Sequence, residues 1–111
     1  MTPYPLNEAA LTLLKSAIIE ALKGIYDPEI PVNIYDLGLI YQIFIDPQGM
    51  VKIEMTLTTP GCPVAQTFPG TVENVINNVA GVSETQVELV WDPPWTTENI
   101  SEAAKLQLGM L

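Results

Sequence analysis

The sequence contains no histidine and no arginine, a single cysteine, and only four lysines. Without histidine, a Ser-His-Asp triad, a Cys-His dyad and every histidine-bearing zinc site are excluded within one chain. Without arginine there is no bidentate clamp for carboxylate or phosphate. One cysteine can form neither an internal disulfide nor a CxxC redox pair, which suits a reducing, cytoplasmic setting. Cationic charge is also short: 13 Asp and Glu stand against the four Lys, for a net charge of −9 and a pI near 4.1. Phosphate backbones and anionic membrane surfaces are bound by neutralising cations, so neither nucleic acid nor membrane is an expected partner. No apolar run approaches the roughly eighteen residues of a membrane helix. The start, Met1-Thr2-Pro3-Tyr4-Pro5, lacks the basic and apolar regions of a secretory leader.

What is present is enough for one core. A chain of 111 residues with 48% hydrophobic and 15% charged residues is expected to be a single domain spanning 1–111. Its mean hydropathy of +0.25 is high for so small a body, which points to a surface covered by a partner or by a second copy, a homodimer being the simplest closed form.

The hydrophobic pattern predicts the elements. Asn7 is placed as an N-cap with Glu8 in the first turn, and Leu11, Leu14, Ile18, Leu22 and Ile25 follow helical spacing, giving a helix over 8–23. Two prolines in Tyr26-Asp27-Pro28-Glu29-Ile30-Pro31 forbid helix. Residues 39–46 and 50–59 read as strands joined by the turn Asp46-Pro47-Gln48-Gly49. In the second strand Val51, Ile53, Met55 and Leu57 take one face, while Lys52, Glu54, Thr56 and Thr58 take the other. A helix over 64–79 follows, kinked or restarted at Pro69-Gly70. Residues 85–91 form a third strand, and Asn99 with Glu102 resembles a capping box before a short final helix. The order helix-strand-strand-helix-strand-short helix implies an α+β fold. Its sheet would be three-stranded and mixed, with an antiparallel hairpin, one parallel pairing and helices on one face.

Cys62 is the principal candidate for chemistry. It lies between a strand and a helix, with Pro63 in a favoured first helical position. A sulfur there meets unpaired N–H groups and the positive end of the helix dipole, which lowers a thiol pKa. A buried, inert cysteine is the competing reading. Thr58 and Thr59 could turn hydroxyls toward the thiol, or be ordinary strand residues. Asp27 and Glu29 could be carboxylate ligands, or stabilise a turn through the Asx pattern, and Asp36 has the same two readings. Trp91 and Trp95 are expected to pack a core edge.

Four motifs in fixed order resemble a known family: Asp27-Pro28-Glu29-Ile30-Pro31, Val32 through Tyr41 (VNIYDLGLIY), Met55 through Pro63 (MTLTTPGCP), and Val90-Trp91-Asp92-Pro93-Pro94-Trp95. Together they resemble the SufT proteins, which belong with PaaD-like proteins and cytosolic iron–sulfur assembly adaptors. The resemblance runs from about residue 8 to the C-terminus. The cysteine-bearing C-terminal region of PaaD-like proteins is absent here.

The resemblance implies an iron–sulfur cluster assembly or maturation factor acting with the SUF system. Its partners would be SUF components and client proteins. The family's reactive cysteine falls on Cys62, its acidic turn on Asp27 and Glu29, and its threonine pair on Thr58 and Thr59. A cluster normally takes about four thiolates, so one Cys62 per chain implies transient iron or cluster binding, shared with a partner or a second subunit, and no stably bound cofactor. The alternative is a non-catalytic adaptor of the same pathway with Cys62 structural. A free-standing thiol enzyme lacks a histidine base, so a non-enzymatic factor is expected.

Overall fold

The computed structural model describes residues 6–27, 30–58 and 64–110. Its elements run α1 (Glu8–Leu22), β1 (Ile40–Ile45), β2 (Met50–Met55), α2 (Val64–Asn77), β3 (Glu84–Leu89), a single 3₁₀ turn (Thr97–Asn99) and α3 (Glu102–Gln107). This is the expected α+β order. The three strands lie in the order β1-β2-β3, with β1 antiparallel and β3 parallel to β2. A tight hairpin joins the first pair, and α2 is the crossover that the parallel pair requires. Among the described residues, no helix is long and apolar enough to cross a membrane.

Local chemistry sets the boundaries. Asn7 Oδ1 accepts from the Ala10 N–H at 2.8 Å and starts α1. In the β1–β2 turn, Asp46 Oδ1 accepts from the amides of Gln48 and Met50 at 2.9 and 3.0 Å. Gly49 closes that turn at φ +84°, a conformation that costs an L side chain about 1–2 kcal/mol. A Cβ there would also lie 2.5 Å from the Gly81 carbonyl oxygen.

The core sits between the sheet and the helix layer. Leu14, Ile18 and Leu22 of α1, and Phe68, Val72 and Ile76 of α2, recur at helical spacing and are buried against Val51, Ile53 and Met55 of β2. Each fully buried aliphatic side chain contributes roughly 1.5–3 kcal/mol of transfer free energy. On the opposite face Lys52 and Glu54 are part-exposed, and Phe44 and Met50 are about half-exposed. Lys52 pairs with Glu88 at 3.3 Å across that open face. Solvent keeps such a pair to under about 1 kcal/mol.

Several boundaries differ from expectation. Helix α1 ends one residue sooner than 8–23. β1 is trimmed by a residue at each end of 39–46, β3 runs 84–89 in place of 85–91, and β2 stops at Met55, four residues short of 59. Past Met55 the chain turns into other bonds, with the Thr56 N–H donating to the Leu39 carbonyl at 2.8 Å. Helix α2 ends at Asn77 and runs through Pro69 without a break. Proline in the second turn forfeits one bond, that to Ala65, which the buried stripe of Phe68, Val72 and Ile76 outweighs. The last helix is capped by Ser101, whose Oγ accepts from the Ala104 N–H at 3.2 Å; Asn99 is its cap only in the sequence reading. Asn99 instead belongs to the 3₁₀ turn capped by Thr96, and its side chain reaches the Tyr41 hydroxyl at 3.4 Å.

Candidate functional site at the end of the parallel strands

The segment joining β2 to α2 leaves the C-terminal end of a strand paired in parallel with β3. In open α/β sheets this end is where ligands are held, because the loops there diverge while the strands fix their roots. Thr58, at the root of that segment, is half-buried in a bend. Thr59 and Cys62 lie outside the described residues, as does Glu29. Of the five expected site residues, the structure therefore places Thr58 and Asp27.

Asp27 sits where β-type geometry ends after the Tyr26–Asn33 bridge. Its Oδ2 accepts from the Ile30 N–H at 2.8 Å, and its own N–H donates to the Val32 carbonyl at 3.2 Å. This is the Asx-type turn, so one carboxylate oxygen is engaged in shaping the loop. Asp36 is likewise structural. Its carboxylate accepts from Asn33 Nδ2 at 2.8 Å while Asn33 Oδ1 accepts from the Asp36 N–H at 2.8 Å. The reciprocal pair holds a tight loop whose apolar neighbours Val32, Ile34, Leu37 and Leu39 are all buried.

The other motif residues bind this loop to the C-terminal segment. Trp95 Nε1–H donates to the Leu37 carbonyl at 2.8 Å, and Tyr41 Oη–H donates to the Pro93 carbonyl at 2.8 Å. The Ser101 N–H reaches the Asp36 carbonyl at 2.8 Å. Gly38, at φ +82°, lets Asn99 approach so closely that an added Cβ would stand 2.2 Å from the Asn99 carbonyl oxygen. Trp95 packs against the core as expected, whereas Trp91 is 43% exposed and does not.

Thr56 was not among the expected site residues, and its alternation places it with Lys52 and Glu54 on the solvent side. It is instead fully buried, and among the described residues its Oγ1 has no hydrogen-bond partner. Around it, the Thr56 N–H bonds the Leu39 carbonyl and the Val90 N–H bonds the Met55 carbonyl, each at 2.8 Å, and the 36–39 loop meets residues 95–101. Three threonines within Met55 through Thr59 gave a signal for polar residues at this point. The burial of Thr56 is beyond the reach of alternation. An unpaired buried hydroxyl costs about 1–3 kcal/mol. Among the described residues no group of three Cys, Asp or Glu side chains could hold a metal ion.

Comparison with known proteins identifies this arrangement. Residues 15–89 match the model of a family described as iron–sulfur cluster assembly protein. The chain is 44% identical over 94 residues to an Fe-S protein maturation auxiliary factor of Porphyromonas gingivalis, covering 85% of this chain and 90% of that protein. It is 37% identical over 86 residues to the Fe-S protein maturation auxiliary factor SufT of Staphylococcus aureus, covering 78% and 98%. Among solved structures, a domain of unknown function from Bacillus anthracis superposes with a TM-score of 0.85 at 36% identity, covering 95% of this chain and all of that one. The matched span takes in the acidic turn, the buried loop, the threonine-rich strand end and the only cysteine, and the chain belongs to the iron–sulfur cluster assembly protein family.

Proposed function

We propose that this chain is an iron–sulfur protein maturation factor of the cytoplasm that works beside the SUF assembly machinery and passes clusters to client proteins, with Cys62 as its thiolate contact. The observation that carries the reading is family membership over a span whose sole thiol lies in the β2–α2 join, two residues before the first described residue of α2. The cluster is cargo in this scheme. One thiolate fills about a quarter of a cluster's usual ligand set, so the donor, the client or a second copy supplies the rest. That shortage favours release, which is what a transfer factor needs. In this proposal Thr58, Thr59, Asp27 and Glu29 are the residues that support the Cys62 contact.

A second reading is an adaptor that brings machinery and client together while Cys62 packs inertly. The engagement of Asp27 in its own turn favours it, since that oxygen is already shaping the loop. Cys62→Ser separates the two. Serine is nearly isosteric and remains protonated at neutral pH, making it a poor iron ligand. On the transfer reading the variant melts within about 1 kcal/mol of the parent, yet fails to restore iron–sulfur enzyme activity in cells lacking the parent. Full restoration would leave the adaptor. Alkylation by iodoacetamide near neutral pH adds an independent check, because a buried thiol resists it. Self-association is a separate proposal, drawn from the hydropathy and from exposed Leu13 and Leu106. Sedimentation at tens of micromolar showing only a 12.1 kDa species would reject it.

A further inference from the structure

The two edges of the sheet differ in one chemical respect. The Asp46 N–H donates to the Met50 carbonyl at 3.0 Å. With the register Phe44↔Lys52 and Gln42↔Glu54, these residues make the bonds to β2, so Ile43 and Ile45 turn their N–H and C=O groups outward. Among the described residues, no backbone group beyond the sheet meets them. At the other edge the Val90 N–H donates to the Met55 carbonyl, which sets the phase of β3 and turns the Val87 N–H outward. There Glu73 Oε2 of α2 accepts it at 3.0 Å.

We propose that the β1 edge is a docking site for an extended segment of a partner protein, added as a fourth strand whose side chains alternate between apolar, toward the helices, and basic, toward the open face. Unpaired N–H and C=O groups at two-residue spacing are matched by another strand and by little else. The strand Ile40–Ile45 carries no charge, proline or glycine to repel one. On the helix side Ile43 and Ile45 are only half-buried. Apolar side chains of an added strand would extend that layer. The open face carries Asp46, Glu54, Glu84 and Glu88 against Lys52, which is already paired with Glu88. Within a chain of net charge −9 this face favours a basic occupant.

A second copy fits this edge poorly. Each copy would bring the same acidic open face, at a net charge of −9 per chain, so two copies would repel there. The inference is independent of the role of Cys62.

The test uses the full chain and two synthetic capped hexapeptides, one alternating lysine and valine, the other glutamate and valine. Backbone amide shifts and hydrogen exchange are followed by NMR. In the free protein the Ile43 and Ile45 amides should exchange at least about tenfold faster than those of Phe44 and Val87. The basic peptide should shift and slow them, and the acidic peptide should not. Ile45→Pro removes an outward donor at an edge position and should abolish the effect. Phe44→Lys leaves the backbone intact and should weaken the basic peptide at least about tenfold by repulsion, which keeps the test decisive if the proline variant does not fold. The proposal is overturned by equal binding of both peptides, by changes centred elsewhere, or by Ile43 and Ile45 amides already protected in the free protein. Protection that grows with concentration as a dimer sediments would mean that a second copy takes the edge, and overturns it equally.

Discussion

β3 and β1 are both edge strands of six residues, yet among the described residues a side chain meets an outward amide of β3 and no backbone group beyond the sheet meets β1. β3 has α2 packed along it, and a carboxylate from that helix takes the Val87 N–H. β1 borders α1, with a bulge between Ile40 and Gln42 as its one irregularity. The difference follows from connectivity. α2 is the crossover between β2 and β3, so it must pass over the strand it delivers. α1 enters from outside the sheet, and the Leu6 N–H bond to the Pro47 carbonyl at 2.7 Å ties its start to the far end of the hairpin. An edge is thus protected where topology supplies a neighbour and left available where it does not.

Substitutions at four positions would break or sharpen this contrast. The largest effect is expected from Gly49→Ala, where the β1–β2 turn meets the turn before β3. Left-handed backbone and the clash with the Gly81 carbonyl should together cost roughly 3 kcal/mol or more in denaturant unfolding. A loss under 1 kcal/mol would show that the closed side is not held there.

Glu73→Ala should cost about 1.5–3 kcal/mol, since it removes a charge-assisted acceptor from a part-buried amide. Glu73→Gln, which keeps an acceptor oxygen, should recover most of that. Hydrogen exchange at Val87 should rise in the alanine variant alone. If both variants exchange as the parent does, the carboxylate is not what closes β3.

Thr85→Val tests the inner face of the same strand. Thr85 is 7% exposed and its Oγ1 has no partner among the described residues, so an isosteric methyl should raise stability by about 1 kcal/mol. A loss of stability would reveal a hydrogen bond to that hydroxyl. Phe44→Thr, on the open side, should shift the thermal midpoint least, by under about 0.5 kcal/mol equivalent, because half of the ring is already in solvent. A cost above 2 kcal/mol would mean that β1 carries core and is not a free edge.

The fold was largely legible because its signals are local. Asn7 as a cap, Gly49 at the turn and the alternation of Val51, Ile53 and Met55 each depend on residues within about one turn or one strand. The expected order of elements, the hairpin and the parallel pair all hold. The final cap is Ser101 because Asn99 lies inside the 3₁₀ turn capped by Thr96, whose hydroxyl donates to Asn99 Oδ1 at 3.4 Å. In the candidate site, Asp27 was legible as a turn former, and that role is the one its hydrogen bond shows. Asp36, Tyr41 and Trp95 stood out as motif residues, but their work of tying two loops together was invisible without the contacts.

Taken by itself, the sequence determined what chemistry this protein can bring: one thiol, no imidazole, no guanidinium and a surplus of carboxylates. It also determined the periodicities that make helices and strands, since those arise from neighbours along the chain. Tertiary structure decided which polar groups those elements would bury or leave open. Thr56 is fully buried although alternation sets it on the solvent side, and the outward Val87 N–H of β3 is met by Glu73 of α2. Burial and edge pairing are set by which distant segments come to lie side by side, and that is a property of the packed chain as a whole.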